Sequence, residues 1–594
     1  MVQRCLSKKL KKFCVVARKL FVFSVVSLGM TTLVHAQTVQ TSDTEEQRRR
    51  AQAEQQERLQ QRQAPNVNLQ GASPESDTNT TTVKNESPCF VIRQFELNAP
   101  KELPEVVQHM SERNVPKAPF LFAHEYLDGY VGACIGKKGL ETIVHRLGNL
   151  IIGKGYSTTR VGVLDQDLST GKLKIVLVPG IIRAIRFADP TLSGTWKNAF
   201  PTGSGQLLNL RDLEQGLEQM KKVTSQDVEM NIVPAENPGE SDVVIDVKRS
   251  KSWRVTGTLD DSGAQATGKL QAGFNLALDN LFWINDLFNV GLNHDVNGQE
   301  NQYGTHGNNI YYAIPAGYWG VALSGNSYDY HETIAGVSQN YISSGKTTNA
   351  EIKISDLFQR DQSQKNTWQF NVGKRWNHAY IDDTEIDVQD RDTTFAELAW
   401  INTTYIGHAQ LDMTLTNRWG VNWLNGQKYA KNIEGQQDPT TINLHYTLQT
   451  FDATLSAPFT LADQAVTYVG TFRGQTTRSP LYLTDQFSIG NRYTVRGFDG
   501  ELTLSAERGF YWRNELDVPT GLTGQVVYGG VDLGKVLGPS AVNLIGDELA
   551  GAVVGTKGAA KGFTYDLFAG WKLYKPDGFK TTTPAVGFSL SYQY

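Results

Sequence analysis

Cysteine is scarce, with four in 594 residues, and Cys5 and Cys14 fall in the first 36. That excludes a cysteine-rich scaffold, and the ten scattered histidines offer no close His/Cys cluster for a metal. Charged side chains are also sparse, at 20% against the quarter usual in soluble domains. The net charge of −4 leaves no broad basic surface, which argues against a nucleic-acid partner. After residue 36 no stretch approaches 18 consecutive apolar residues, so no spanning helix is expected there. No GxSxG elbow, HExxH pair or Walker loop occurs, so neither an enzyme nor a bound cofactor is expected. The last shortage is local. Residues 37–252 hold ten aromatic side chains in 216 positions, whereas 253–594 hold 46 in 342. One part is ordinary or polar, and the other is rich in amphipathic rings.

The first 20 residues carry seven basic side chains and no acid, followed by an apolar run from Phe21 to Val34 and then His35-Ala36. This reads as a secretory signal peptide over 1–36, the alternative being an uncleaved anchor. Its removal takes away seven positive charges and leaves a net −11. An exported chain without a spanning helix is either soluble outside the cytoplasm or a closed membrane β-barrel, the other structure that satisfies its backbone in lipid. Cys89 and Cys134 then remain as an even pair in an oxidising compartment, which points to a disulfide rather than two buried thiols.

Asp43 to Gln63 is built of helix-forming Glu, Gln, Arg and Ala, with Ser42 or Asp43 as candidate caps and Leu59 almost the only apolar residue. A helix polar all round has no stripe to bury; it sits in bulk water, as a solvated tail, or in a water-filled space. Residues 64–87 read as a flexible linker. Residues 88–180 read as a small α/β module. It has a strand at Cys89–Leu97, a helix whose Leu140, Ile143, Val144, Leu147 and Ile151 share a face, and strands at Tyr156–Leu164 and Leu173–Val178. Residues 181–250 repeat the plan: Ile181–Phe187, a helix over Arg211–Val223, then Val228–Val233 and Val243–Val247.

From Trp253 the period becomes two. Phe288, Val290 and Leu292 alternate with Asn289, Gly291 and Asn293; Trp368, Phe370 and Val372 with Gln369, Asn371 and Gly373; Leu411, Met413 and Leu415 with Asp412 and Thr414. Ile442, Leu444, Tyr446 and Leu448 show the same pattern, as do Val586, Phe588, Leu590, Tyr592 and Tyr594. Alternating segments of about ten residues, with excess aromatics for two interfacial girdles, predict an outer-membrane barrel with its apolar face outward. A large soluble sandwich also alternates, but its polar faces need not suit a wet lumen. At about ten residues per strand plus turns and loops, 251–594 accommodates roughly 14–18 strands, and about 16 is expected.

Five segments, in order along the chain, now resemble one family. They are Cys89-Phe90-Val91-Ile92 with Gly132 to Gly136; Gly153 to Val161 (GKGYSTTRV); Gln166 to Leu173 (QDLSTGKL) with Val178-Pro179-Gly180; Val495-Arg496-Gly497-Phe498; and Gly530 to Gly534 (GVDLG). Across the whole mature chain the sequence resembles the two-partner secretion transporters, the TpsB family of the POTRA-plus-barrel superfamily. The resemblance implies two periplasmic POTRA domains (88–180 and 181–250), a plug helix at 37–63 and a barrel over 251–594 into which a VRGF loop folds. It implies a bacterial outer-membrane protein that captures an unfolded exoprotein bearing an N-terminal secretion domain and conducts it outward. Haemolysins, adhesins and contact-dependent inhibition toxins are the cargo types. It also implies assembly by the barrel insertion machinery, a lipid surround and a monomer.

The same resemblance implies that Arg496 pairs with Asp532 to hold the loop inside. Asp532 shares parity with Tyr528 and Gly530, and the glycines at 530 and 534 leave room for a close backbone. The alternative is two unrelated residues. Arg513, Glu515 and Asp517 alternate onto one face, either as a charged lumen network or as plain inward polar residues. The rival functions are an assembly or insertion factor of the same superfamily, a barrel hydrolase and a passive porin. Insertion factors usually carry more POTRA domains and no plug helix.

Overall fold

The computed structural model describes residues 44–69, 86–98, 117–296 and 302–594. The leader, the candidate caps Ser42 and Asp43, and most of the linker lie outside the described residues.

The first described element is a helix, α1, over residues 44–63. The first module follows, with helices α2 (Lys117–Asp128) and α3 (Lys137–Gly153) packed on a three-stranded sheet. Its central strand, Lys172–Val178, pairs in parallel with Gln94–Asn98 and antiparallel with Arg160–Gly162. Ile143, Leu147 and Ile151 of α3 bury their face against Leu173, Ile175 and Leu177. Two expected boundaries change. The single strand expected at Cys89–Leu97 is two short segments in different sheets, because Phe90–Val91 pairs with Cys134–Ile135 instead. Cys89 and Cys134 form a disulfide beside that pairing, with Cα atoms 5.3 Å apart, and so fix the first segment locally. The strand expected at Tyr156–Leu164 shrinks to Arg160–Gly162, since Tyr156 to Thr159 is taken up by a turn that presents Thr159 Oγ1 to the Gly180 N–H.

The second module repeats the topology. Glu240–Arg249 is central, with Ile181–Phe187 parallel and Gln226–Pro234 antiparallel to it. Its helix α4 (Leu210–Lys221) starts where the Asn209 side chain caps the Arg211 N–H. Leu213, Leu217 and Met220 face the sheet.

Among the described residues, sixteen antiparallel strands close the barrel. They are β1 (Trp253–Asp260), β2 (Gln271–Asp279), β3 (Leu287–Asp295), β4 (Tyr303–Ala316), β5 (Trp319–Ala335), β6 (Asn340–Arg360), β7 (Gln364–Ile381) and β8 (Arg391–Ile406), then β9 (Ala409–Val421), β10 (Thr447–Leu461), β11 (Gln464–Thr477), β12 (Arg508–Pro519), β13 (Gln525–Leu537), β14 (Glu548–Ala560), β15 (Phe563–Tyr574) and β16 (Ala585–Gln593). β16 pairs back onto β1, Ser589 opposite Asp260 and Gln593 opposite Thr256, so no edge is left. Closure at this size leaves a wide lumen. Polar residues of the alternating segments, such as Asn289, Asn293, Gln369, Asn371 and Thr414, line it. Their apolar neighbours, such as Leu292, Trp368, Phe370 and Leu415, are exposed on the outer wall. No helix among the described residues is long and apolar enough to cross a membrane.

One segment departs from its expected orientation. Ile442 to Tyr446 precedes β10 and is not a barrel strand. Leu444, Tyr446 and Leu448 are buried rather than lipid-facing, and Tyr446 and Leu448 pack with Leu481. Leu481 belongs to the loop between β11 and β12, which gives inward apolar side chains a dry partner.

Candidate functional site

The 478–507 loop folds into the lumen instead of projecting from the wall. It carries its own apolar nucleus, in which Phe487, Ile489, Val495, Phe498, Leu504 and Ala506 are buried with Tyr511, Val536, Leu549 and Phe579 of the wall and its loops. Phe498 meets Phe579 edge to face at 5.7 Å. The loop turns at Gly497 with φ +101°, a left-handed conformation that favours glycine.

Arg496, beside that turn, reaches β13. Its Nε and Nη2 donate to the two carboxylate oxygens of Asp532 at 2.7 and 2.8 Å, and its backbone N–H donates to Asp532 Oδ2 at 3.0 Å. Asp532 is 0% exposed, so it has exchanged water for three charge-assisted donors. Nη1 donates to Glu515 of β12, which also takes Lys557 of β14 at 2.7 Å. Lys557 bridges on to Asp517 at 2.9 Å. Arg513 sits opposite Asp532 in the strand register and donates to the Tyr493 carbonyl at 3.0 Å. The structure therefore brings Arg513, Glu515 and Asp517 into one inward-facing charged group with the loop.

Glycines make room for this approach. A Cβ at Gly530 would lie 2.7 Å from Arg496 Nη2, and one at Gly534 2.8 Å from Val495 Cγ2. Sequence reasoning missed two further clearances. A Cβ at Gly551 of β14 would overlap the Arg496 carbonyl oxygen, and one at Gly570 of β15 would stand 2.8 Å from the Gly497 Cα. The signal was available as glycines at inward positions on neighbouring strands, but the partner residue was not.

Helix α1 lies inside the same lumen and is gripped by polar contacts. Tyr328 donates to Glu45 at 3.0 Å, and the Arg49 guanidinium lies over the same ring. Arg48 donates to the Gly500 carbonyl at 3.0 Å, and Ser505 to Gln47 at 3.2 Å, so the infolded loop holds the helix start. Further along, Arg473 binds Glu54 at 2.8 Å, Lys353 binds Glu57 at 3.0 Å and Arg58 reaches Asp452 at 3.4 Å. The described helix of twenty residues is about 30 Å long, the thickness of a bilayer core. A polar cavity of about 900 Å³ remains between helix and wall.

Asp485 of the loop joins all three parts. Arg50 of α1 and Arg375 and Arg418 of the wall stand 3.5, 3.6 and 3.6 Å from its carboxylate. Three cations around one buried carboxylate compensate for the water it has lost.

On the periplasmic side the chain leaving α1 is pinned to the second module. The Val67 N–H donates to Glu218 at 2.7 Å and the Leu69 N–H to Glu214 at 2.9 Å. Arg360, at the end of β6, donates to Glu218 at 2.7 and 2.8 Å and to the Val67 carbonyl at 2.8 Å. Burial pushes the Glu218 carboxyl up, but Arg360 and Lys365 more than reverse it, and the net shift is downward. Both modules also present sheet edges of the kind an extended chain can extend. They are Gln94–Asn98 and Arg160–Gly162 in the first, and in the second Gln226–Pro234 and the later part of Ile181–Phe187, whose start is already bonded to Gly205 and Gln206.

A sixteen-stranded lipid-facing barrel with two α/β modules in series, a polar helix in its pore and a long loop folded onto its inner wall defines an outer-membrane transporter. The family described as haemolysin secretion/activation protein ShlB/FhaC/HecB matches residues 239–558, a ShlB-type POTRA domain matches 116–180, and a POTRA domain matches 181–234. The chain belongs to this family of two-partner secretion transporters, which are not catalysts, with its barrel in the outer membrane and its POTRA domains on the periplasmic side. It is 43% identical to the outer membrane transporter CdiB-2 of Burkholderia pseudomallei (strain 1026b), over 97% of this chain and 99% of the relative. It is 25% identical to the hemolysin transporter protein ShlB of Serratia marcescens, over 69% of this chain and 72% of the relative. Among solved structures, CdiB from Acinetobacter baumannii superposes with a TM-score of 0.79 at 26% identity, covering 93% of this chain and 99% of that one.

Proposed function

We propose that this transporter exports a contact-dependent inhibition exoprotein, received unfolded at the POTRA sheet edges and passed through the barrel once α1 has left the lumen. The observation that carries the reading is the occupancy of the lumen by a helix bound through polar side chains only. Such a helix is stable inside a wet pore and costs little apolar burial to withdraw. The cargo class rests on 43% identity along nearly the whole chain to a transporter bearing the CdiB name.

In this reading Val495, Arg496, Gly497 and Phe498, with Gly530, Asp532 and Gly534, form the lock that keeps the loop on the wall while the helix moves. Arg513, Glu515 and Asp517 hold the charge balance around it. The Cys89–Cys134 disulfide steadies the segment that leads from the linker into the first POTRA sheet. The chain acts as a monomer that is inserted by the barrel assembly machinery.

The test is secretion of a contact-dependent inhibition exoprotein by cells that carry this transporter. Deleting the transporter should abolish its appearance at the cell surface. Deleting residues 44–63 should raise the ion conductance of the purified barrel in planar bilayers while the barrel stays folded. Unchanged secretion without the transporter would defeat the reading.

A further inference from the structure

The connector between the second POTRA domain and the barrel runs from Arg249 to Trp253, and it passes along an aromatic collar on the outer, periplasmic rim of the wall. Trp253 opens β1 and Tyr594 ends the chain beside it, their rings 5.8 Å apart. The turn between β2 and β3 adds Leu281, Phe282 and Trp283, three consecutive large apolar residues, all exposed. The Phe282 ring meets Tyr312 of β4 edge to face at 6.1 Å, and Tyr312 in turn meets Phe288 at 6.4 Å, so the turn lies against the lipid-facing surface. Trp283 holds φ +62°, a conformation that a bulky residue rarely adopts and that the surrounding turn must enforce.

Two cations stand on this collar. The Lys251 ammonium lies 4.0 Å from the centre of the Tyr594 ring and 5.2 Å from that of Trp253. The Arg249 guanidinium lies 4.9 Å from the Trp283 ring centre, with one N–H donated to the Ser193 carbonyl at 2.5 Å. Neither is paired with a carboxylate among the described residues, although the nearby Arg254 is paired with Asp279 at 2.5 Å. A collar of rings at the edge of an apolar band sits at headgroup depth. Unpaired cations held on those rings face the phosphates of the leaflet, which carry the opposite charge.

We propose that this collar is a binding site for the phosphate headgroup of an anionic phospholipid in the inner leaflet. Lys251 and Arg249 contact the phosphate, while Trp253, Phe282, Trp283 and Tyr594 lie among the glycerol and upper acyl carbons. Arg249 ends the central strand of the second POTRA domain and Lys251 follows in the connector, so a bound lipid adds a membrane contact to a joint that protein contacts such as Arg360–Glu218 already hold.

The full chain in nanodiscs of phosphatidylcholine doped with phosphatidylglycerol, with annular lipid counted by native mass spectrometry, tests this. The site should retain phosphatidylglycerol over phosphatidylcholine. The preference should fall about fivefold in Lys251→Gln and about thirtyfold in the Lys251→Gln, Arg249→Gln double variant. Lys251→Arg should keep it. Heat-modifiable mobility on gels reports that each barrel is folded. Phe282→Ser with Trp283→Ser provides an independent route, expected to lose the lipid with both cations intact. Equal retention of the two lipids, or a preference untouched by the double variant, would overturn the proposal. So would displacement of the lipid by millimolar inorganic phosphate, which would make this a site for a soluble anion.

Discussion

Arg360 of the barrel and Glu218 of the second POTRA domain form a two-pronged ion pair with almost no exposure to solvent. The same arginine and glutamate also grip the backbone of Val67, so one pair joins wall, periplasmic module and the chain leaving the plug helix. A buried pair stripped of one partner typically loses about 3–5 kcal/mol, and here the loss is smaller, because Lys365 at 2.8 Å still faces Glu218 once Arg360 is gone. Arg360→Ala should therefore loosen the module from the barrel and free residues 64–69, giving faster proteolysis of the linker in intact barrels. The pH dependence follows from Glu218, whose carboxyl is held below its ordinary range. Its contribution is present above the unfolded carboxylate pKa and is lost as pH falls through the lower, folded one. Linker protection in the wild type should thus persist through neutral and mildly acidic pH and fail only in stronger acid. Glu218→Gln should show the loosened state already at pH 7.

The Arg496–Asp532 contact is more than a pair of opposite charges. The Arg496 backbone N–H also binds the carboxylate, and Gly530 and Gly534 clear the way for the loop. Arg496→Ala and Asp532→Ala should each release the loop, seen as new cleavage between residues 478 and 507 by protease added to cells, with secretion lost. Exchanging the two residues restores the charges but not the backbone hydrogen bond or the glycine clearance. The double swap should accordingly recover only part of the secretion, and full recovery would show that charge alone holds the loop.

Gly551 offers a steric test that leaves every charge in place. A methyl group there overlaps the Arg496 carbonyl, and forcing extra volume into a close contact costs about 1–3 kcal/mol. Gly551→Ala should give a folded barrel with a displaced loop and reduced secretion. Gly529→Ala is the control, since the nearest atom its Cβ would meet, the Val553 carbonyl oxygen, lies at 3.9 Å.

The difference between Gly530 and Gly551 shows where sequence reading stops. Period two in β3, β7, β9 and β16 identifies a wall with one oily and one wet face, because lipid and water impose that alternation residue by residue. The five motifs then place the POTRA domains and the loop through family resemblance. Leu444, Tyr446 and Leu448 obey the same alternation yet face inward, because Leu481 covers part of that group. Periodicity reports that faces differ, and only the tertiary contact decides which face is wet. Arg360 with Glu218, and Asp485 with its three arginines, carry no local signature at all. The partners are separated by 142 residues in the first case and come from three different elements in the second.

The grip on the plug helix is largely ionic, and that gives it a salt dependence. Arg50 meets Asp485 at 3.5 Å and Arg473 meets Glu54 at 2.8 Å, and these side chains are partly shielded inside the lumen. Pairs of this kind contribute up to about 1 kcal/mol each, roughly fivefold in the ratio of plugged to open states. Glu54→Gln changes the helix and leaves the wall intact, so open-channel events in planar bilayers should become about fivefold more frequent. Raising the salt from 0.1 to 1 M shortens the screening length from about 10 to 3 Å and should open the wild type in the same direction. The charge-deleted variant should respond less, having lost one of the screened contacts. An apolar anchor for the helix would reverse this pattern, since high salt would then hold the plug in place.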